Sequence, residues 1–289
     1  MLLVYHAKVL NCYHTKQKRP RRTGAENEEE IQMKKIAAML LVLTLICSAA
    51  CMAESVTFKM GFDAEYPPYT YMGDDGEYTG FDIEMCQGVC EILGWDLELV
   101  PINWDTKLIT LDAGEIDCIW SGLTIDVIDP EAYTLSMAYS DNSQVILTKA
   151  DSGIATLADL AGKIVGVQLG TSADLMLQND QAELAATFGD LQRFENYNVC
   201  FTELMAGSID AVAIDIGVAA NKIKEYGDEY VILDESMASE QYGICFRKAD
   251  AEMCAQVEDA YMQLVENGTY KALAEKYELD EGALCLLNK

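Results

Sequence analysis

Between residues 56 and 280 the hydrophobic period of the chain changes again and again. Short continuous apolar runs alternate with longer stretches whose apolar residues recur every three or four positions, the signatures of buried strands and of helices. The first half predicts strand 56–62, helix 81–93, strand 97–101, helix 105–113 and strand 116–121. A second series opens with a helical turn at Thr156–Leu160 and strand 163–168. Helix 172–186, strand 191–195, helix 198–206, strand 209–214, helix 216–226 and strand 231–233 follow. Tyr242–Phe246 runs back, and an amphipathic helix over 250–276 closes the series, with Val257, Tyr261, Leu264 and Val265 on one side. Strand alternating with helix is the mark of a mostly parallel sheet.

Two segments repeat one order. Leu111–Trp120 ends a helix at Gly114 and starts a strand at Ile116; Leu204–Ala213 does the same around Gly207 and Ile209. Each is a helix, an Ala-Gly stop and an apolar strand. The repetition predicts two similar α/β lobes, although a common helix-to-strand turn used twice gives the same pattern. Two crossings are expected, near Gln144–Lys149 and near Glu240–Ile244, so that 54–147 plus 244–289 form lobe 1 and 148–243 form lobe 2. The predicted fold class is therefore α/β, with two Rossmann-like lobes joined by a two-strand hinge around a cleft. Open α/β sheets bind ligands beyond the carboxyl ends of their strands. Those ends are Asp63, Ser121-Gly122, Gly170-Thr171-Ser172 and Asp215.

The residues at these ends carry a consistent chemistry. In Gly61–Tyr71, Asp63 offers a fixed anion, Tyr66 and Tyr69 offer flat apolar faces, and Pro67 and Pro68 fix two φ angles. The Gly73–Gly76 run reads as a hairpin turn before Gly80-Phe81-Asp82 opens a helix. An anion beside aromatic plates suits a small amine-bearing ligand; a tyrosine-rich strand edge with a solvated Asp is the plainer reading. Thr171 and Ser172 cap a helix and leave N–H groups at its positive end, a seat for an anion or an ordinary cap. Asp215 is read either as a partner for an ammonium or as a helix cap, and Trp104 either as a ligand lid or as core.

Composition narrows the partners. Met33-Lys-Lys, the apolar run 36–46 and the small residues Ser48-Ala49-Ala50 have the order of a secretory signal over 33–53. Residues 1–32 then read as an upstream mis-start or leader extension. Two cleavage points fit, before Cys51, which would carry a lipid, or after Ala53. Beyond residue 53 the chain holds 12 basic and 44 acidic residues, a formal charge of −32. Such a surface repels nucleic acid and anionic headgroups. Both histidines, His6 and His14, precede that point, which excludes histidine catalysis from the rest. Seven cysteines lie beyond residue 53 with no CxxC or metal-ligand spacing, so neither metal nor cofactor is expected. Cys86 and Cys90 read as core filler.

Together these residues resemble the polar amino-acid substrate-binding proteins of bacterial ABC importers, the family 3 extracellular solute-binding proteins. The resemblance spans 54–280. It rests on Gly61-Phe-Asp…Tyr-Pro-Pro-Tyr, Gly80-Phe-Asp-Ile, Gly114-Glu-Ile-Asp, Ser121-Gly-Leu-Thr-Ile125 and Val165-Gly-Val-Gln-Leu-Gly-Thr-Ser172. Ser239-Glu-Gln-Tyr-Gly-Ile244 and Asn267-Gly-Thr-Tyr270 complete it. It implies the periplasmic binding protein type II fold, a monomer outside the cytoplasm, and delivery of a small solute to an ABC permease. It also implies roles. Asp63, Tyr66 and Trp104 face the ligand side chain. Ser121, Gly122 and Thr124 meet the α-amine and carboxylate. Gln168, Thr171 and Ser172 line the other lobe, the last two at the carboxylate, and Asp215 takes the α-ammonium.

One departure stands out. The family normally places an arginine four or five residues after the Thr of Ser-Gly-x-Thr-Ile, as a clamp on the ligand carboxylate. Here Ile128 or Asp129 holds that place, and the arginines beyond residue 53, Arg193 and Arg247, belong to other motifs. A charge-assisted clamp contributes about 1.5–3 kcal/mol, so a decarboxylated, amidated or cationic ligand enters the picture. A second reading is an enzyme resembling periplasmic cyclohexadienyl dehydratases, with Glu65 and Asp129 as its acid-base carboxylates. A third is a sensory ligand-binding domain acting with a partner receptor.

Overall fold

The computed structural model describes residues 55–287. The readings of 1–32 as a mis-start, of 33–53 as a signal and of Cys51 as a lipid site lie outside the described residues. Strand β1 (Thr57–Phe62) leads into a small antiparallel sheet of β2 (Glu65–Tyr66), β3 (Thr70–Met72) and β4 (Tyr78–Thr79). Helix α1 (Phe81–Leu93) carries Asp82 and Glu84 at its positive end and stops at Gly94, whose φ of 67° lets its N–H return to the Cys90 carbonyl. Then come β5 (Asp96–Pro101), a 3₁₀ turn (Trp104–Thr106), α2 (Lys107–Asp112), β6 (Cys118–Thr124) and β7 (Tyr133–Leu135).

The long strand β8 (Ser140–Lys149) leads into β9 (Ile164–Gln168), α3 (Ser172–Gln178), α4 (Ala182–Ala185), β10 (Asp190–Phe194) and α5 (Tyr197–Ala206). After β11 (Ala211–Asp215), α6 (Ile216–Tyr226) and β12 (Tyr230–Ile232), the strand β13 (Ala238–Arg247) returns, and α7 (Ala251–Glu266) and α8 (Thr269–Lys276) follow.

The main sheet runs β10-β9-β11-β8-β13-β6-β1-β5, with β12 also on β8 and β7 also on β13. Strands β1, β5 and β6 pair in parallel, as do β9, β10 and β11, which gives each lobe its own parallel core. Strands β8 and β13 join them. Ser140–Gln144 pairs antiparallel with Ala238–Tyr242; beyond that stretch β8 pairs with β11 and β13 pairs with β6. The result is two lobes joined by a two-strand hinge, the predicted fold class.

Phe58, Met60, Trp120, Tyr139, Val257, Tyr261 and Tyr270 fill the interior of the first lobe, and Ile146, Val165, Val167, Leu177 and Ala213 that of the second. Burying a large apolar side chain contributes about 1.5–3 kcal/mol. Along α7, Cys254, Val257, Tyr261 and Leu264 recur at helical spacing and are buried. Leu264 comes so close to α1 that a Cβ on Gly88 would lie 3.0 Å from its Cδ1. Among the described residues no helix is long and apolar enough to cross a membrane.

Several expected elements differ in extent. The helix expected over 250–276 breaks at Gly268, which sits at φ 86° and makes α7 and α8 separate helices. The helix expected over 172–186 breaks at Asn179, where φ −123° and ψ −90° interrupt the helix. The one expected over 105–113 begins as the 3₁₀ turn and becomes α-helical only at Lys107. Cys86 and Cys90 are both buried, as core filler should be.

Candidate functional site

The lobe 1 wall is built where β1 and β6 end. Asp63 follows β1 directly and is buried; its Oδ1 accepts from the Glu65 N–H at 2.9 Å, and burial pushes its carboxyl above the usual range. Tyr66 stacks on Tyr69 with ring centroids 5.5 Å apart, and its hydroxyl lies 2.7 Å from that of Tyr242. Strand β6 is buried along its whole length, and its last four residues, Ser121–Thr124, reach the cleft. Gly122 adopts φ 53°, and a Cβ there would lie 2.6 Å from the Tyr66 ring. Its N–H donates to Asp82 Oδ2 at 2.7 Å, and the same oxygen accepts from the Tyr139 hydroxyl at 2.8 Å. Asp82 is fully buried, and desolvation raises its carboxyl to about 7. It fixes the turn that presents Ser121 and Gly122.

The lobe 2 wall comes from the ends of β9 and β11. Gln168 donates to Asp63 Oδ2 across the cleft at 2.6 Å, and its own amide oxygen is buried with no hydrogen-bond partner among the described residues. Gly170 sits at φ 73°, and a Cβ on it would lie 2.8 Å from the Asp105 Cα of lobe 1. Thr171 caps α3 by accepting from the Asp174 N–H at 3.2 Å. Asp174 in turn accepts from Arg193 Nε at 2.6 Å.

Asp215 ends β11 and stands at the N-cap of α6, yet its side chain makes no cap hydrogen bond. The carboxylate faces the cleft instead. Oδ1 accepts from Asn142 at 2.8 Å, from Gln144 at 2.5 Å and from the Tyr242 hydroxyl at 2.8 Å, and Oδ2 from the Tyr197 hydroxyl at 3.0 Å. A second buried acid shares these donors. Glu240 Oε1, on the hinge strand β13, accepts from Asn142 at 2.7 Å, Gln144 at 2.8 Å, Thr124 at 2.7 Å and Ser172 at 3.2 Å. Neither acid forms an ion pair among the described residues. Burial raises both carboxyl groups, and the charge on Asp215 raises Glu240 further. Two acids around the same amide nitrogens favour a cation or a proton beside them.

The clamp position is apolar. Ile128 is buried and lines the cavity, whereas Asp129 is exposed and accepts from the Glu131 N–H at 2.9 Å in a surface turn. Arg193 is held by Asp174, and Arg247 by Asp117 and Asp250, so both arginines lie outside the cavity lining. A cation is nevertheless present in that lining. Lys107 at the start of α2 is buried, with Nζ 4.8 Å from the Trp104 ring centroid.

One cavity of about 80 Å³ gathers all ten residues singled out from the sequence: Asp63, Tyr66, Trp104, Ser121, Gly122, Thr124, Gln168, Thr171, Ser172 and Asp215. Glu65 and Asp129, the carboxylates of the dehydratase reading, are not part of its lining. Glu65 instead accepts from Asn198 of lobe 2 at 3.0 Å. Sequence reasoning missed Lys107, Asn142, Gln144, Glu240 and Asp82. For Asn142 and Gln144 a signal existed, because polar residues two apart on a strand share one face.

Comparison with known proteins follows the same lines. The family model described as bacterial extracellular solute-binding proteins, family 3, matches residues 58–280. The L-cystine-binding protein TcyJ of Escherichia coli K12 is 31% identical over 226 residues, covering 78% of this chain and 83% of its own. A substrate-binding protein of an ABC uptake transporter from Streptococcus pneumoniae, solved with bound histidine, superposes with a TM-score of 0.75. It is 28% identical over 78% of this chain and 94% of its own. The ancestral amino acid-binding protein AncCDT-1, a precursor of cyclohexadienyl dehydratase, gives a TM-score of 0.70 at 32% identity, over 76% of this chain and 95% of its own. The sequence motifs, the hinged two-lobe fold and these matches agree, and the chain belongs to the family 3 bacterial extracellular solute-binding proteins.

Proposed function

We propose that the protein is an extracytoplasmic substrate-binding protein of an ABC importer, closing on an amino acid or a related amine-bearing solute and delivering it to a membrane permease. The observation that carries this reading is the buried pair Asp215 and Glu240, which share the donors Asn142 and Gln144 and have no ion-pair partner among the described residues. Asp215 takes the α-ammonium. Asp63, Tyr66, Trp104 and Gln168 meet the side-chain end, where the unpartnered oxygen of Gln168 accepts a further donor. Ser121, Gly122 and Thr124 meet the α-amine and carboxylate, with the Gly122 N–H already held by Asp82. Thr171 and Ser172 stand toward the carboxylate, with their hydroxyls already donating to the Gln168 carbonyl and to Glu240.

Lobe 1 comprises 54–147 plus 244–289 and lobe 2 comprises 148–243, with the crossing strand β8 already pairing with β11 and lending Ile146 to the second interior. The protein acts as a binder rather than an enzyme, as a monomer outside the cytoplasm, either anchored at the cell surface by a lipid at Cys51 or free in the periplasm. Calorimetry with amino acids, amides and polyamines tests the reading. At least one amine-bearing solute should bind, and Asp215→Asn should weaken it about tenfold to a hundredfold. Binding that Asp215→Asn leaves unchanged refutes the role of Asp215, and turnover of prephenate or arogenate refutes the absence of catalysis.

A further inference from the structure

We propose that Lys107 is the carboxylate-binding residue of this site, standing in for the arginine that the Ile128 position lacks, so that the solute is an amino acid with a free carboxylate rather than an amine. This rests on the amine-binding reading above. Lys107 lines the same cavity as Ile128, Thr171 and Ser172. Its Nζ donates to two neutral acceptors, the carbonyl of Trp104 at 3.2 Å and that of Gly170 on the facing lobe at 2.6 Å. An ammonium has three donors; two go to these carbonyls, and the other neighbour of Nζ is the neutral Trp104 ring, 4.8 Å away at its centroid. Lys107 forms no ion pair among the described residues. A buried cation is costly unless an anion meets it.

The groups around it do not meet that need. Asp105 on the adjoining 3₁₀ turn and Asp174 on α3 act on it at a distance, and Cys245 on β13 is a thiol whose ionisation burial pushes up to about 12. Asp174 is already bound by Arg193 at 2.6 Å. Asp105 is exposed at the surface. A carboxylate entering between Ile128 and the start of α3 would find in Lys107 the one cation among the described residues that line the cavity. Of the acids that line the cavity, Asp63 is already held by Gln168, so Asp215 and Lys107 would offer the two opposite charges that a zwitterion needs.

Calorimetry on the wild-type protein with pairs of solutes that differ only in the carboxylate reads this directly: L-histidine with histamine, L-cystine with cystamine, L-arginine with agmatine. For the pair that binds, the acid should bind at least tenfold tighter than its decarboxylated twin. Lys107→Met keeps the aliphatic stem and should erase that preference, weakening the acid about tenfold to a hundredfold and leaving the amine within a few-fold. Lys107→Arg should retain the preference. Burial lowers the Lys107 ammonium to about 8, so the preference should shrink as pH rises beyond that value. Equal or tighter binding of the amine by the wild-type protein overturns the role of Lys107 and leaves the amine-binding reading standing. Equal losses for acid and amine in Lys107→Met show a latch between the lobes and also overturn it. No binding of any solute across the wider panel of amino acids, amides and polyamines overturns the amine-binding reading, and the role of Lys107 with it.

Discussion

Replacing Asp82 with asparagine should change how stability depends on pH. The carboxyl of Asp82 is raised from 3.8 to about 7 in the folded protein, chiefly because it is fully buried. Below about pH 4 it is protonated in both the folded and the unfolded chain and contributes no slope. Between about pH 4 and pH 7 the folded protein keeps the proton that the unfolded chain has released. The folded state therefore binds more protons, and stability falls as pH rises through this window. A gap of roughly three pH units at 1.36 kcal/mol each makes the loss about 4 kcal/mol. Above pH 7 it stays constant.

The amide introduced by Asp82→Asn does not titrate. Urea denaturation at pH steps from 4 to 8 should show the stability of wild type minus Asp82→Asn declining by about 4 kcal/mol across the window and levelling above 7. Any fixed cost of the new amide beside Gly122 and Tyr139 shifts the whole curve and leaves its slope unchanged. Other buried acids, Asp63, Asp215 and Glu240 among them, occur in both proteins and cancel. A difference that is flat between pH 4 and pH 7 would refute the argument, because it would mean that Asp82 ionises in the folded protein as readily as in the unfolded one.

Two further outcomes follow from the geometry. Gly170→Ala should cost about 1–2 kcal/mol in urea melts from the positive φ alone. It should weaken solute binding beyond that, because its Cβ would lie 2.8 Å from the Asp105 Cα of the facing lobe; calorimetry showing unchanged affinity would contradict the close approach. Arg193→Ala leaves buried Asp174 without its cation and should lower stability by about 1.5–3 kcal/mol, reduced by the partial exposure of the arginine. Denaturation in high salt should narrow that difference, and a difference within experimental error would show that the pair contributes little.

Much of the fold was legible because strand and helix periods alternate so regularly. The places where the chain departs from expectation are those where the periodic signal runs on through a break. Apolar residues continue at helical spacing from α7 into α8 and mask the stop at Asn267-Gly268, although Gly is the residue suited to φ 86°. The site was legible at the strand ends, since topology gathers those positions whatever the side chains do. Lys107 was hidden for a different reason. A lysine in an exposed-looking helix start reads as solvated, and nothing local reveals that its ammonium reaches the carbonyl of Gly170 in the facing lobe. Glu240 was hidden because one strand carries it and another carries its donors, Asn142 and Gln144.

That arrangement has a mechanical side. Asn142, Gln144 and Glu240 sit on β8 and β13 within the stretch where the two strands pair with each other, which is where the lobes are joined. Charge arriving beside Asp215 is thus registered at the fulcrum and not at the lips of the cleft. A lever turned near its pivot converts a slight change in bond length into a large sweep at its far end. The same amide groups that bind Glu240 on one hinge strand also reach Asp215 of lobe 2, so the acids and the hinge share their donors.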